Sequence, residues 1–279
     1  MTWMQVILYA LVQGITELFP VSSVGHGVIL PFVFHWKNIS DSAQFLPFIV
    51  MLHLGTALAL LIFFWRDWVE LIASLFTRHR HEQRRLLGLI IVATIPAAII
   101  GKLFETQFRQ LFPSAFSAGI FLVVNGLILF FVDRLTKRSS RRHYGRGAEK
   151  QVSYVQAFLI GCVQILALIP GFSRSGVTMS ASMISGLDYD EAAHFSFLLA
   201  TPVILGAGVL EVPKMIHSHD TQMIHFGIIG GISAGIVAFL STWFLMHYFH
   251  THEVRAFRPF AWYCIVLGAL VALAAGFGY

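Results

Sequence analysis

The sequence predicts an all-α polytopic membrane protein: an inverted repeat of two halves, with six spanning helices and two re-entrant helical hairpins. Three observations support this fold class. Hydrophobic residues make up 57% of the chain and charged residues 12%, with a mean hydropathy of +0.74, whereas soluble domains are about half apolar and a quarter charged. Several apolar runs are long enough to cross a bilayer. Two further apolar segments are each interrupted by a polar loop.

The six predicted spanning helices follow from the length of the uninterrupted apolar runs. A hydrocarbon core about 30 Å thick requires about 20 helical residues. Runs of about that length lie near 45–64, 86–103, 115–133, 193–211, 223–247 and 259–277.

The two predicted hairpins, 4–34 and 154–186, contain Gly, Pro and Ser in mid-course, at residues 20–26 and 170–176. Because unsatisfied backbone groups cost several kcal/mol in lipid, such a break must be enclosed by protein or line a wet cavity. Each segment is therefore interpreted as half-helix, loop and half-helix, entering and leaving on one side.

The chain is interpreted as one membrane domain, 1–279, with a first repeat at 1–133, a second at 154–279 and a basic cytoplasmic loop at 134–153. An offset of 151 positions aligns the two hairpins. The matched residues are Val12, Gln13, Ser22 and Gly25 with Val163, Gln164, Ser173 and Gly176. Three crossings per half would invert the second copy, so both hairpin tips should meet near the midplane.

The orientation is predicted from Lys and Arg, which favour short cytoplasmic loops. The loops 65–85, 134–153 and 248–258 share one side of the predicted topology and hold 14 of the 19 basic residues. Both termini should therefore face the opposite, outer side. Loop orientation and contact with anionic membrane lipids explain the net charge of +5, so a nucleic-acid partner is not expected.

Ionisable groups at membrane depth are functional candidates because burying them is expensive. The sequence places three in the hairpins: Glu17, His26 and Arg174. Gln13 precedes Glu17 by four residues, so both side chains share one helix face. The other twelve histidines are interpreted as structural or loop residues.

The hairpin loops resemble anion cradles, because each opens a helix whose free N–H groups and positive dipole end favour a phosphate. A guanidinium such as that of Arg174 binds phosphate oxygens through two parallel hydrogen bonds. Helix packing by small residues remains the alternative for Ser175, Ser180 and Ser182. The candidate phosphate-binding residues are Gln13, Ser22, Gly25, Gly171, Ser173, Ser175, Gly176 and Thr178.

Nearly end to end, the chain resembles the bacterial undecaprenyl-diphosphate phosphatases, the bacitracin-resistance type of integral membrane phosphatase. The motifs that carry the resemblance are Gln-Gly-Ile-Thr-Glu at 13–17, Pro-Val-Ser-Ser-Val-Gly-His at 20–26 and Pro-Gly-Phe-Ser-Arg-Ser-Gly-Val-Thr at 170–178. There are two departures: family members commonly carry Glu at the position of Gln13 and Thr at that of Val24.

The resemblance implies hydrolysis of a polyprenyl diphosphate to the monophosphate that carries cell-wall precursors. It also implies a divalent cation, Mg²⁺ in the first place and Ca²⁺ as the alternative. The expected location is the bacterial inner membrane, with the active site open to the periplasm. A lipid diphosphate needs a polar pocket at headgroup depth joined to an apolar opening, and a membrane enzyme offers both.

The expected mechanism starts with attack by Ser23 on the terminal phosphoryl group, with His26 as general base or acid. Arg174 would stabilise the transferred charge, and Glu17 would orient His26 or bind the metal ion. Direct attack by water is the alternative mechanism that the sequence leaves open. The sequence also leaves open whether the protein forms a homo-oligomer. A transporter or scramblase of polyprenyl phosphates is the alternative function, since broken helices at the midplane are a transporter design.

Overall fold

A computed structural model describes residues 1–36, 45–77, 79–104, 106–107, 114–136, 152–217, 220–252 and 255–278. Within these ranges the chain is entirely helical, with eleven α-helices and no strand. Most of the predicted basic loop 134–153 lies outside the described residues.

Ten of the eleven helices follow the predicted elements, whereas α4, Trp65–Ala73, lies within the predicted loop 65–85. They are α1 Trp3–Thr16, α2 Ser23–Val33, α3 Phe45–Phe63, α4 Trp65–Ala73, α5 His81–Leu103, α6 Ala115–Thr136, α7 Tyr154–Gln164, α8 Arg174–Ile184, α9 Tyr189–His217, α10 Thr221–Thr251 and α11 Arg258–Gly276. A short 3₁₀ turn, Ile165–Leu168, continues α7.

Six of these helices are long and apolar enough to cross a membrane: α3, α5, α6, α9, α10 and α11. Each coincides with one predicted run, so the prediction of six spanning helices is confirmed, and the chain is a multi-pass membrane protein. The two interrupted segments form pairs of short helices, α1 with α2 and α7 with α8. At about 1.5 Å per residue, the 14 residues of α1 and the 11 residues of each of the others are too short to span the bilayer.

The two short-helix pairs are built alike, at the same offset of 151 positions. The helix α2 covers 23–33 and α8 covers 174–184. The N-cap hydroxyls of Ser22 and Ser173 each accept a hydrogen bond from the glycine N–H three residues on, at 3.1 Å. A Ser or Thr side chain with a Gln three residues later also caps both α1 and α7, which satisfies N–H groups that would otherwise lack a partner.

Asn125, in the middle of α6, holds the two loops together. Its amide donates to the Pro20 carbonyl at 3.0 Å and its oxygen accepts from the Ser173 N–H at 3.0 Å. The Phe19 carbonyl accepts from the Ser175 hydroxyl at 3.0 Å. The tips of both hairpins therefore meet beside α6, and this contact positions the candidate site.

Candidate active site

Glu17 lies at the centre of a buried hydrogen-bonded cluster. Its Oε2 accepts from the Ser23 hydroxyl at 2.6 Å and from the Gln13 amide at 3.1 Å, and lies 3.1 Å from His53 Nε2. Its Oε1 accepts from Arg174 Nε at 3.4 Å and Nη2 at 3.3 Å. Two hairpins and a spanning helix thus converge on one carboxylate.

Local helix structure places each member of the cluster. Glu17 follows the last residue of α1, and its N–H still bonds to the Gln13 carbonyl at 2.9 Å. Ser23 and Arg174 are the first residues of α2 and α8, where helix dipoles favour negative charge. Arg174 is further fixed by donating from Nη1 to the Ser196 carbonyl of α9 at 3.0 Å.

The cluster carries one net positive charge. His53 Nδ1 lies 2.8 Å from the Ile49 carbonyl, which only accepts, so this nitrogen holds a proton. His53 Nε2 faces a carboxylate oxygen, so a further proton lies between His53 and Glu17. Whichever of the two groups holds that proton, they are neutral together, and Arg174 adds one positive charge. A buried site with this charge is suited to an anion.

The cluster forms the polar end of a cavity of about 530 Å³. Ser23, His53, Glu17, Ser173 and Arg174 line that end. The remaining wall is mostly apolar and comes from α3, α5, α9 and the segment 167–172. This combination matches an amphiphile with an anionic head and a hydrocarbon tail.

His26 occupies a different place from the one that the expected mechanism requires. Its Nδ1 donates to the Ser22 carbonyl at 2.6 Å, and its Nε2 lies 2.7 Å from the Tyr263 hydroxyl. The single hydroxyl proton of Ser23 is used in the hydrogen bond that Ser23 donates to Glu17. In this structure the side chain that accepts from the Ser23 hydroxyl is therefore Glu17, and the His26 ring folds back by one turn of α2 to the Ser22 carbonyl.

Among the candidate phosphate-binding hydroxyl residues, only Ser173 lines the cavity, and all four hydroxyls have hydrogen-bond partners within the protein. Ser22 caps α2, and Ser175 donates to Phe19. Thr178 Oγ1 lies 2.6 Å from Ser196 Oγ. The Gln13 amide donates to Glu17 and so reaches the site through that carboxylate.

The candidate glycines allow the loops to approach each other closely. A Cβ atom on Gly25 would lie 3.1 Å from the Gly171 backbone, and one on Gly176 would lie 3.0 Å from Ser173 Cβ. Gly171 has a φ of +108° and faces the Ala118 carbonyl, where a Cβ would come within 2.5 Å. Gly171 requires glycine for both backbone conformation and space, whereas a side chain at Gly25 or Gly176 would crowd its neighbours.

His53, Asn125 and Ser196 contact the site but were not predicted from the sequence as site residues. His53 lies inside the predicted spanning run 45–64, so the criterion that selected Glu17, an ionisable group at membrane depth, also applies to it. Asn125 is a polar residue in the run 115–133 and carries the same signal. The contact of Ser196 is through its backbone carbonyl, which no sequence pattern marks.

The residues of the cluster do not fit a metal ion held by the protein alone. Both Glu17 oxygens already accept hydrogen bonds from neutral or cationic donors. Within the described part of the chain, no group of three His, Cys, Asp or Glu side chains could hold a metal ion.

Fold and site together define a multi-pass membrane protein with a largely apolar pocket whose polar end contains a hydrogen-bonded serine and a buried arginine. The model of the family described as "Bacitracin resistance protein BacA" matches residues 6–270, and the chain belongs to this family. The family resemblance drawn from the sequence is thereby confirmed.

Curated relatives are similar over almost their whole length. A protein of Granulibacter bethesdensis named "Undecaprenyl-diphosphatase" is 46% identical, over 98% of this chain and 97% of its own. One of Chromobacterium violaceum named "Undecaprenyl-diphosphatase 2" is 45% identical, over 97% and 98%. One of Acidiphilium cryptum named "Undecaprenyl-diphosphatase" is 44% identical over the full length of both chains.

Proposed function

We propose that this protein hydrolyses undecaprenyl diphosphate to the monophosphate and inorganic phosphate, and so recycles the lipid carrier of cell-wall synthesis. The observation that carries the proposal is a buried serine hydroxyl that donates to a carboxylate, itself paired with Arg174, at the polar end of an apolar cavity. The names of relatives 44–46% identical over nearly the full chain point to the same substrate.

In the first step, Ser23 Oγ attacks the terminal phosphorus. The serine proton passes to Glu17, whose Oε2 lies 2.6 Å away, and the shared proton between His53 and Glu17 then moves fully to His53. The bond from the terminal phosphorus to the bridging oxygen breaks, and its electrons leave with the lipid monophosphate. Arg174 stabilises the charge on the transferred phosphoryl oxygens.

The proton that Glu17 took from Ser23 leaves with the lipid monophosphate, which restores the shared proton between His53 and Glu17. In the second step, water attacks the phosphoserine and gives one proton to Glu17, and the bond from phosphorus to Ser23 Oγ breaks. Glu17 passes that proton to Ser23 Oγ, and the second water proton leaves on the inorganic phosphate. The alternative is a single step in which Glu17 activates water directly. We propose that His26 is a positioning residue, because its hydrogen bond holds the Ser22 carbonyl. Ser22 has a φ of 67°, a conformation that costs about 1–3 kcal/mol unless its surroundings hold it.

A divalent cation, Mg²⁺ first and Ca²⁺ as the alternative, is proposed to enter with the substrate. Mg²⁺ favours phosphate oxygens and water over cages of protein ligands, and the saturated hydrogen bonding of Glu17 supports this assignment. We therefore propose that the cation binds to the diphosphate and not to Glu17.

The two halves, 1–133 and 154–279, are proposed to be an inverted repeat whose short-helix pairs are re-entrant hairpins. The matching helix bounds and N-caps at an offset of 151 support a repeat, and the lengths of α1 and α2 support re-entry. The loop 134–153 joins the halves on the cytoplasmic side.

An inner-membrane location with periplasmic termini is proposed, with the cavity open to the periplasm. Leu46 at the start of α3 and Lys102 at the end of α5 both line the cavity. At the opposite ends of these helices, Arg84 lies in the first turn of α5 and Arg66 lies in α4, just beyond the end of α3, and such residues favour the cytoplasm.

Release of phosphate by the purified protein tests the proposal. We expect release from farnesyl diphosphate, a short polyprenyl diphosphate, in detergent with Mg²⁺, and a loss of turnover with a chelator. The transporter or scramblase alternative is not favoured, and it predicts lipid movement across vesicles without any phosphate release.

A further inference from the structure

Gln164, the last residue of α7, has an unpaired amide within the wall of the cavity. Its side chain is 1% exposed and lines the same cavity as Ser23 and Arg174. Neither its Nε2 nor its Oε1 has a hydrogen-bond partner among the described residues. Leaving a buried polar group without a partner is unfavourable, so such a group in a native protein requires an explanation.

The first hairpin shows what has changed around this amide. At the offset of 151 positions, Gln164 corresponds to Gln13, which donates to Glu17 at 3.1 Å. The position that corresponds to Glu17 is Leu168, an apolar residue of the cavity wall. The second hairpin therefore keeps the glutamine and lacks the carboxylate that satisfies it in the first.

We propose that Gln164 binds the lipid diphosphate by donating a hydrogen bond from Nε2 to a phosphoryl oxygen. The inference rests on the proposed function, since it assigns a further substrate contact in the same cavity. Nε2 is a neutral donor with no acceptor among the residues that the structure describes, and phosphoryl oxygens are strong acceptors. Gln164 and Arg174 would thus hold the headgroup from the two ends of the segment 164–174.

The first test combines substrate kinetics with thermal stability. In Gln164→Leu, we expect the KM for farnesyl diphosphate to rise about tenfold with kcat within about threefold of wild type, the pattern of a lost uniform binding contact. The thermal midpoint in detergent should stay the same or rise, because leucine removes an unsatisfied amide at similar volume. A lower midpoint with an unchanged KM would make Gln164 a packing residue and overturn the proposal.

Ser182→Ala is the matched control. Its hydroxyl is also fully buried without a partner among the described residues, but it does not line the cavity. We expect its KM to equal that of wild type. An equal rise in KM for both variants would contradict the assignment, because it would reflect a general effect on α7 and α8.

A second variant and a binding probe separate a direct contact from one made through a buried water. Gln164→Glu turns a carboxylate toward the diphosphate, so it should weaken thermal stabilisation by the non-hydrolysable farnesyl methylenediphosphonate more than Gln164→Leu does. Unchanged stabilisation in both variants would show that water, and not substrate, satisfies the amide.

If the wild type releases no phosphate, the proposed function itself fails. Normal release by the wild type with an unchanged KM in Gln164→Leu refutes this inference alone.

Discussion

Two buried carboxylates, Glu17 and Asp133, are each paired with an arginine, and only their surroundings distinguish them. Asp133 is fully buried and accepts from the Tyr189 hydroxyl at 2.7 Å, the Phe257 N–H at 3.2 Å and Arg258 Nε at 3.1 Å. These contacts join the end of α6 to the starts of α9 and α11.

The two carboxylates differ in whether they line the cavity. Asp133 does not line the 530 Å³ cavity, and its hydrogen bonds connect the ends of neighbouring helices. Glu17 lines the cavity together with Ser23, whose hydroxyl it orients, and it has His53 as a second basic partner. A buried carboxylate–arginine pair is therefore a chemical site only where a reactive group and a substrate-sized space adjoin it.

The largest expected effect comes from neutralising each carboxylate in turn. Glu17→Gln should lower the rate of phosphate release about 10³-fold or more, because it removes the base next to Ser23. Asp133→Asn should instead lower stability, since it breaks the ion pair with Arg258 and places an amide among donors that the carboxylate accepted from. Phosphate release per folded molecule and thermal unfolding in detergent measure the two effects.

Substituting the two arginines sharpens the same comparison. Arg174→Lys should reduce turnover about 10²-fold with normal insertion and purification, because lysine keeps the charge and loses the planar fork. Arg258→Lys, its counterpart at Asp133, should keep turnover near that of wild type. Equal turnover in both variants would remove Arg174 from the transition state.

A smaller effect is expected at His53. His53→Gln keeps a hydrogen-bond donor for Glu17 but leaves no group that takes up the proton, so we expect roughly a tenfold loss in kcat/KM. His194, which lies 3.1 Å from Asp67 outside the cavity, provides the control. If His194→Gln loses as much activity as His53→Gln, the role of His53 in the cluster is refuted.

The sequence predicted the helices well because each depends on local signals. Six apolar runs and two Gly/Pro/Ser interruptions correspond to the spanning helices and the breaks that the structure shows. The hairpin prediction also placed Glu17 and Arg174 near each other, and their side chains are 3.3 Å apart.

The hydrogen bonds inside the site could not be predicted in the same way. Ser23 lies six residues from Glu17 and three from His26 in the sequence, and spacing alone does not decide which side chain the hydroxyl meets. The ring of His26 reaches Tyr263, 237 positions away, which only the packing of α11 determines. His53 was within reach of sequence reasoning, and its position inside an apolar run was the available signal.

The most direct test of the central claim, that Glu17 activates Ser23 as one unit, is a double-mutant comparison of phosphate release. Ser23→Ala and Glu17→Gln should each lower kcat/KM about 10³-fold, and the double variant should lose little more, since groups that act together are strongly non-additive. Ser22→Ala should retain far more activity than Ser23→Ala, because its hydroxyl caps α2. If Ser23→Ala keeps substantial turnover while Glu17→Gln does not, water is the nucleophile and the covalent mechanism is contradicted.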